Sequence, residues 1–182
     1  MTVYIAFLRG INVSGTKKVP MAQLRSLLEE NGLDKVTTYI QSGNVVFSSL
    51  EEDKSVLENK IQETIEKEFG FQVPVLVITK TGLDTILTSN PFEKNLEKDN
   101  GKIYYVLLKN KPDSMLVKHL EEEVYENEEF YVTDTCVYLQ CNTGYGKAKL
   151  NNNLIERKLK VEATTRNHRT MEKLGQMAAN LN

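Results

Sequence analysis

The sequence predicts an α+β protein of two ferredoxin-like halves, each an antiparallel sheet covered by helices, with an extra helix at the C-terminus. Three observations carry this reading. Strand-like and helical stretches follow the order βαββαβ, and that order then recurs. The 182 residues are 40% hydrophobic and 26% charged, which is close to the soluble globular average. No low-complexity tract or flexible linker interrupts the pattern. The halves fall at 1–80 and 102–182, with a connecting helix and loop at 81–101. Halves this short have thin cores, so they are expected to pack tightly on each other.

The elements follow from local pattern. Val3–Leu8 is an unbroken run of β-branched, aromatic and aliphatic residues, which reads as a buried strand. After a loop over 9–19, Pro20 suits a first helical turn, Met21, Leu24, Leu27 and Leu28 recur at helical spacing, and Gly32 closes the helix. Val36–Ile40 and Val45–Phe47 form a hairpin around Gln41-Ser42-Gly43-Asn44. Leu57, Ile61, Ile65 and Phe69 stripe a helix over 53–69, closed by Gly70, and Val73–Ile78 is the fourth strand. A short helix over 83–87 leads to Asn90-Pro91-Phe92 and a polar loop ending at Gly101. The second round has a strand at Ile103–Leu108 and a helix at Met115–Tyr125 with Leu116, Leu120 and Val124 in register. Phe130–Val132 and Val137–Leu139 follow as strands, Leu154–Leu159 as a helix and Ala163–Thr165 as a last short strand. A terminal helix aligns Met171, Leu174, Ala178 and Leu181.

Composition excludes several classes. No apolar run approaches the ~20 residues of a membrane span, and Met1-Thr2-Val3 lacks a basic secretory n-region, so no membrane partner and a cytoplasmic location are expected. Cys136 and Cys141, five positions apart in a strand-like stretch, face opposite sides and read as buried, inert thiols. No cluster has metal-ligand spacing, and no cofactor is expected. The net charge of −2 gives no overall attraction to nucleic acid, but it is unevenly spread: +2 over 1–50, −9 over 51–143 and +5 over 144–182. The basic tail fits either an anionic partner or the acidic middle of the same chain. The glutamates at 121–123, 126, 128 and 129 read as a solvated face.

Three basic segments stand between a strand and a helix, where glycines and helix N–H groups suit phosphate. The first, Arg9-Gly10-Ile11-Asn12-Val13-Ser14-Gly15-Thr16-Lys17-Lys18, approaches a P-loop, but Thr and Lys are swapped against Gly-Lys-Ser/Thr, which argues against an NTPase. Its alternative role is a solvated turn. The second is Gly144-Tyr145-Gly146-Lys147-Ala148-Lys149, which reads as a phosphate or base-stacking loop, or simply as the approach to a helix. The third places Arg166, His168 and Arg169 around Asn167, a good N-cap. Cations are unfavourable at a helix N-terminus by about 0.3–1 kcal/mol each. Either a bound anion or an internal carboxylate then offsets them. Histidine is a common general acid or base, but His168 lacks a partner at recognisable spacing, so a surface or capping role is preferred. An RNA-recognition platform is poorly supported: Tyr4, Phe7 and Phe47 lie on the central strands without the usual basic-aromatic pattern.

Arg9 to Val13, Met21 to Arg25, Thr38 to Phe47, Asn90-Pro91-Phe92, Gly146 to Leu150 and Thr164 to Asn167 together resemble the bacterial domain of unknown function 1697 family. The resemblance implies a two-part α+β fold and no established activity, substrate or cofactor. Ser14 stands where Gly is more usual, and His168 where an aromatic residue is. The expected function is binding of a phosphorylated small molecule, nucleotide or nucleic acid through Arg9, Asn12, Lys17, Lys18, Lys147, Lys149, Arg166 and Arg169. The alternatives are a protein-interaction or structural module, and an enzyme of unknown class with polar side chains converging around Asn12, Tyr39, Gln41 and Asn44. Topology is expected to place the loop after the first strand at the opposite sheet end from the hairpin between the second and third strands. The loop after the last strand is likewise expected opposite the loop after the third.

Overall fold

A computed structural model describes residues 1–95 and 102–181. β1 (Thr2–Leu8) is central in the first sheet, between β3 (Asn44–Ser49) and β4 (Val75–Thr79), with β2 (Asp34–Tyr39) outside β3. Every pairing is antiparallel. α1 (Met21–Glu30) and α2 (Lys54–Phe69) complete the βαββαβ order. Tyr4, Ala6, Leu8, Val45 and Phe47 share a core with Leu24 and Leu28 of α1 and Leu57, Ile61 and Ile65 of α2. The opposite faces of these strands, carrying Ile5, Phe7 and Val46, are buried too. Asp53 caps α2 by accepting the Ser55 N–H at 2.8 Å, and Gly70 ends it with φ +77°.

α3 (Lys80–Thr88) leads into the second round. β5 (Ile103–Leu108) lies between β7 (Cys136–Cys141) and β8 (Ala163–Asn167), with β6 (Glu128–Val132) outside β7, again all antiparallel. α4 (Ser114–Glu121) and α5 (Asn152–Leu159) cover this sheet, and Leu120, Ile155 and Leu159 pack with Val106, Val137 and Leu139. α6 (His168–Ala179) follows β8. Residues 1–85 with 172–182 form one compact unit and 86–171 a second. The fold is therefore α+β with two similar halves and a C-terminal helix, and both sheets have the strand order second–third–first–fourth.

Three expectations need correction. α4 stops at Glu121 instead of Tyr125, leaving Val124 95% exposed. The Glu122 N–H donates to the Lys118 carbonyl and the Glu123 N–H to the Leu120 carbonyl, so a tightened last turn closes the helix there. β2 ends at Tyr39, because Ile40 turns into the left-handed region at φ +49° to start the hairpin. The sheet-end assignments are also reversed. A helical crossover returns β2 parallel to β1, so the β2–β3 turn lies beside the end of β1, where the Leu8 N–H donates to the Gly43 carbonyl at 2.8 Å. Likewise β7 and β8 run the same way, and Tyr104 pairs with both Leu139 and Asn167. The polar loop expected to end at Gly101 lies partly outside the described residues.

Candidate functional site

Unit one gathers the 9–19 loop and the β2–β3 turn at one sheet end. Gly10, Asn12, Ser14, Gly15 and Lys17 all have positive φ, so this loop is wound tightly by left-handed residues. Asn12 holds it: its Nδ2 donates to the Val19 carbonyl (3.0 Å) and the Gln41 carbonyl (2.8 Å), and its Oδ1 accepts the Val19 N–H (2.8 Å). Lys17 Nζ donates to the Gln72 carbonyl at 2.8 Å and lies 5.9 Å from the Phe71 ring centre. Asn12 and Lys17 thus bind the chain's own carbonyls. Arg9 is half-buried and Lys18 exposed. Gly43 has φ +79°, and a Cβ there would stand 2.7 Å from Leu8 Cβ. Asn44 is fully buried, and its Nδ2 donates to the Tyr39 carbonyl and Ser42 Oγ. The polar group around Asn12, Tyr39, Gln41 and Asn44 therefore builds the turn.

Unit two brings the 142–149 loop to the end of β8. Tyr145 stacks on Tyr104 with centroids 4.7 Å apart. Its hydroxyl accepts the Asn152 N–H (2.9 Å) and donates to Thr165 Oγ1 (3.2 Å), while Thr165 donates to Asn152 Oδ1 (2.8 Å). This polar network ties the loop, the start of α5 and β8 together. The base-stacking role expected of Tyr145 gives way to packing on Tyr104, whose hydroxyl pKa burial raises. The sequence marks Thr165 only as part of the Thr164–Asn167 stretch and does not mark Asn152, since nothing local identifies a residue whose partner lies on another element. Lys147 and Lys149 are exposed, and their ammonium groups have no carboxylate partner among the described residues.

Asn167 caps α6, its Oδ1 accepting the Thr170 N–H at 2.9 Å. His168 is 5% exposed, and its Nδ1 lies 2.8 Å from the Tyr105 hydroxyl. The ring packs against Tyr105 with centroids 5.8 Å apart, a structural position. Arg169 is exposed. The Arg166 side chain lies on the other face of β8 from Thr165. Its Nη1 donates to Thr164 Oγ1 (3.1 Å) and the Thr165 carbonyl (2.8 Å), and burial pushes its pKa down to about 10. The match of basic tail to acidic middle is made at Lys158, whose Nζ donates to Glu123.

The aromatic side chains of the central strands are not at the surface. Tyr4, Phe7 and Phe47 are at most 2% exposed, so no base-stacking platform exists there. Among the described residues no His, Cys, Asp and Glu group is arranged to hold a metal, and no helix is long and apolar enough to cross a membrane.

Fold and loops together define an α+β protein of two βαββαβ units, with polar loop networks at the ends of both sheets. The chain belongs to the family described as protein of unknown function DUF1697, whose model matches residues 1–138. It is similar to a solved structure, the conserved bacterial protein SP0830 from Streptococcus pneumoniae. The two share 26% identity and a TM-score of 0.77 over 97% of this chain and 98% of that one. No curated protein matches the sequence.

Proposed function

We propose that the chain binds a phosphate-bearing small molecule at the junction of β8 and α6, with Arg166 as the principal contact and Arg169 beside it. The observation that supports this most directly is the half-buried Arg166 guanidinium, held against a hydroxyl and a carbonyl near the end of β8, two residues before the helix begins. A cation in a low-dielectric setting attracts an anion far more strongly than one in bulk water, and a guanidinium fork matches phosphate geometry. Lys147 and Lys149 reach solvent on the loop tied to β8 through Tyr145. Their loop meets the Thr165 face of β8, opposite Arg166, so their part is a long-range positive potential that speeds anion encounter.

The test is a melting curve in inorganic pyrophosphate. At a hundredfold excess over Kd, a ligand bound only to the folded state stabilises it by about 2.7 kcal/mol, a rise of several degrees for a chain of this size. Arg166→Ala abolishes the rise. Lys147→Ala with Lys149→Ala retains it but lowers its dependence on salt. Equal rises in wild type and Arg166→Ala, or none in either, contradict the reading.

A further inference from the structure

Unit two carries a second surface that the anion site leaves unused. Among the described residues β6 is an edge strand, paired with β7 alone. The Thr133 N–H donates to the Cys136 carbonyl and the Asn142 N–H to the Asn127 carbonyl, both at 2.9 Å. This phase turns the backbone of Glu129 and Tyr131 toward β7, and that of Phe130 and Val132 outward. A groove runs along this edge, walled by Phe92, Val124, Tyr125, Phe130 and Tyr131 and rimmed by glutamates. Val124 is 95% exposed and Tyr131 56%, and together they line one groove, a contiguous apolar patch of the kind that marks interaction sites. The chain from 121 to 131 has six glutamates and no basic residue.

Two of the rim carboxylates already serve the fold. Glu128 accepts the backbone N–H groups of Lys149 (2.6 Å) and Leu150 (2.7 Å), and Glu123 accepts from Lys158 and Tyr125. Glu121 and Glu129 make no ion pair among the described residues. Glu129 and Tyr131 share one face of β6, and Phe130 lies on the other with Tyr125, whose ring meets it edge-on at 6.0 Å.

From this arrangement we infer that the β6 edge is a docking site for an extended, basic segment of a partner protein, which adds as a further strand. Main-chain hydrogen bonds to Phe130 and Val132 supply the register. On one face a Lys or Arg side chain meets the Glu129 carboxylate and lies over the Tyr131 ring. On the other, apolar side chains enter the groove beside Phe92, Val124 and Phe130. The matching sequence therefore alternates cationic and apolar residues.

The probe is a capped heptapeptide of alternating lysine and valine, titrated into the full chain at low salt, with a glutamate–valine peptide as control. The lysine peptide binds and the glutamate peptide does not. Glu121→Lys with Glu129→Lys, at exposed positions that leave the circular dichroism unchanged, weakens binding by about tenfold or more. Tyr131→Thr keeps the β-propensity and weakens it several-fold. Binding also slows hydrogen exchange at the Phe130 and Val132 amides. Equal binding of the two peptides, no loss on charge reversal, or unchanged exchange at those amides overturns the assignment. So does a concentration-dependent dimer abolished by Glu129→Lys, which gives the edge to a second copy of this chain.

Discussion

The two sheets share one strand order, yet their loops are put to different use. In unit one the connection from β1 to α1 is long, and Asn12 and Lys17 turn inward onto the chain's own carbonyls. In unit two the corresponding connection, 109–113, is short, and the basic residues lie at the far strands, beside the Tyr145 network and on the β8–α6 junction. A glycine- and lysine-rich loop between strand and helix has the composition of a phosphate cradle in both cases. In both units the polar side chains bind the chain itself, but to different ends. Asn12 in unit one completes a turn, whereas Arg166 in unit two is a partly buried cation held by Thr164 Oγ1 and the Thr165 carbonyl beside the start of α6.

The largest effect that sharpens this contrast is Gly43→Ala. The new Cβ meets Leu8 Cβ at 2.7 Å and the Leu8 carbonyl oxygen at 2.9 Å, at a φ of +79°. The combined clash and left-handed strain cost about 3 kcal/mol. By contrast, Gly144→Ala, with open space around its Cβ, costs about 1 kcal/mol from its positive φ alone. Denaturant titration of the two variants reads the difference. Asn12→Ala is next, losing about 2 kcal/mol with its three loop hydrogen bonds, read in the same way.

An alkaline titration separates the units by chemistry. Both cysteines lie on β7, and burial raises both thiols, Cys141 to about 12. A thiol that keeps its proton longer when folded contributes stability in full below the unfolded pKa near 9. That contribution is lost as pH rises toward 12. Melting curves between pH 9 and 12 fall more steeply for wild type than for Cys141→Ala, and neither thiol reacts with a disulfide reagent until the chain unfolds. Smaller still, Ser14→Gly relieves a left-handed φ of +49° and stabilises by about 0.5–1 kcal/mol. Lys149→Ala, an exposed side chain, changes stability by less than about 0.5 kcal/mol.

Local signals were legible where neighbours in sequence decide the outcome. The α2 stripe and its Gly70 stop lie within one stretch of chain, and both are found there, with Asp53 as the cap instead of the first helical residue. The family is borne out by the match over residues 1–138. Val124 keeps helical spacing with Leu116 and Leu120, but spacing does not register the tightened turn that ends α4 at Glu121. The roles of Asn12, Tyr145 and Thr165 depend on partners 7 to 29 residues away. Only the strand order brings them together, and so the candidate site was legible as residue types but not as geometry. Lys17 and Lys147 look alike in the sequence, and only the fold gives one a carbonyl and the other open solvent.

The direct measurement is a backbone amide NMR spectrum of the full chain titrated with pyrophosphate. Shifts concentrated at 144–149 and 164–170, with residues 10–18 unmoved, are the predicted result. Shifts centred on 10–18, or none at any residue, contradict the assignment of the anion site to the second unit.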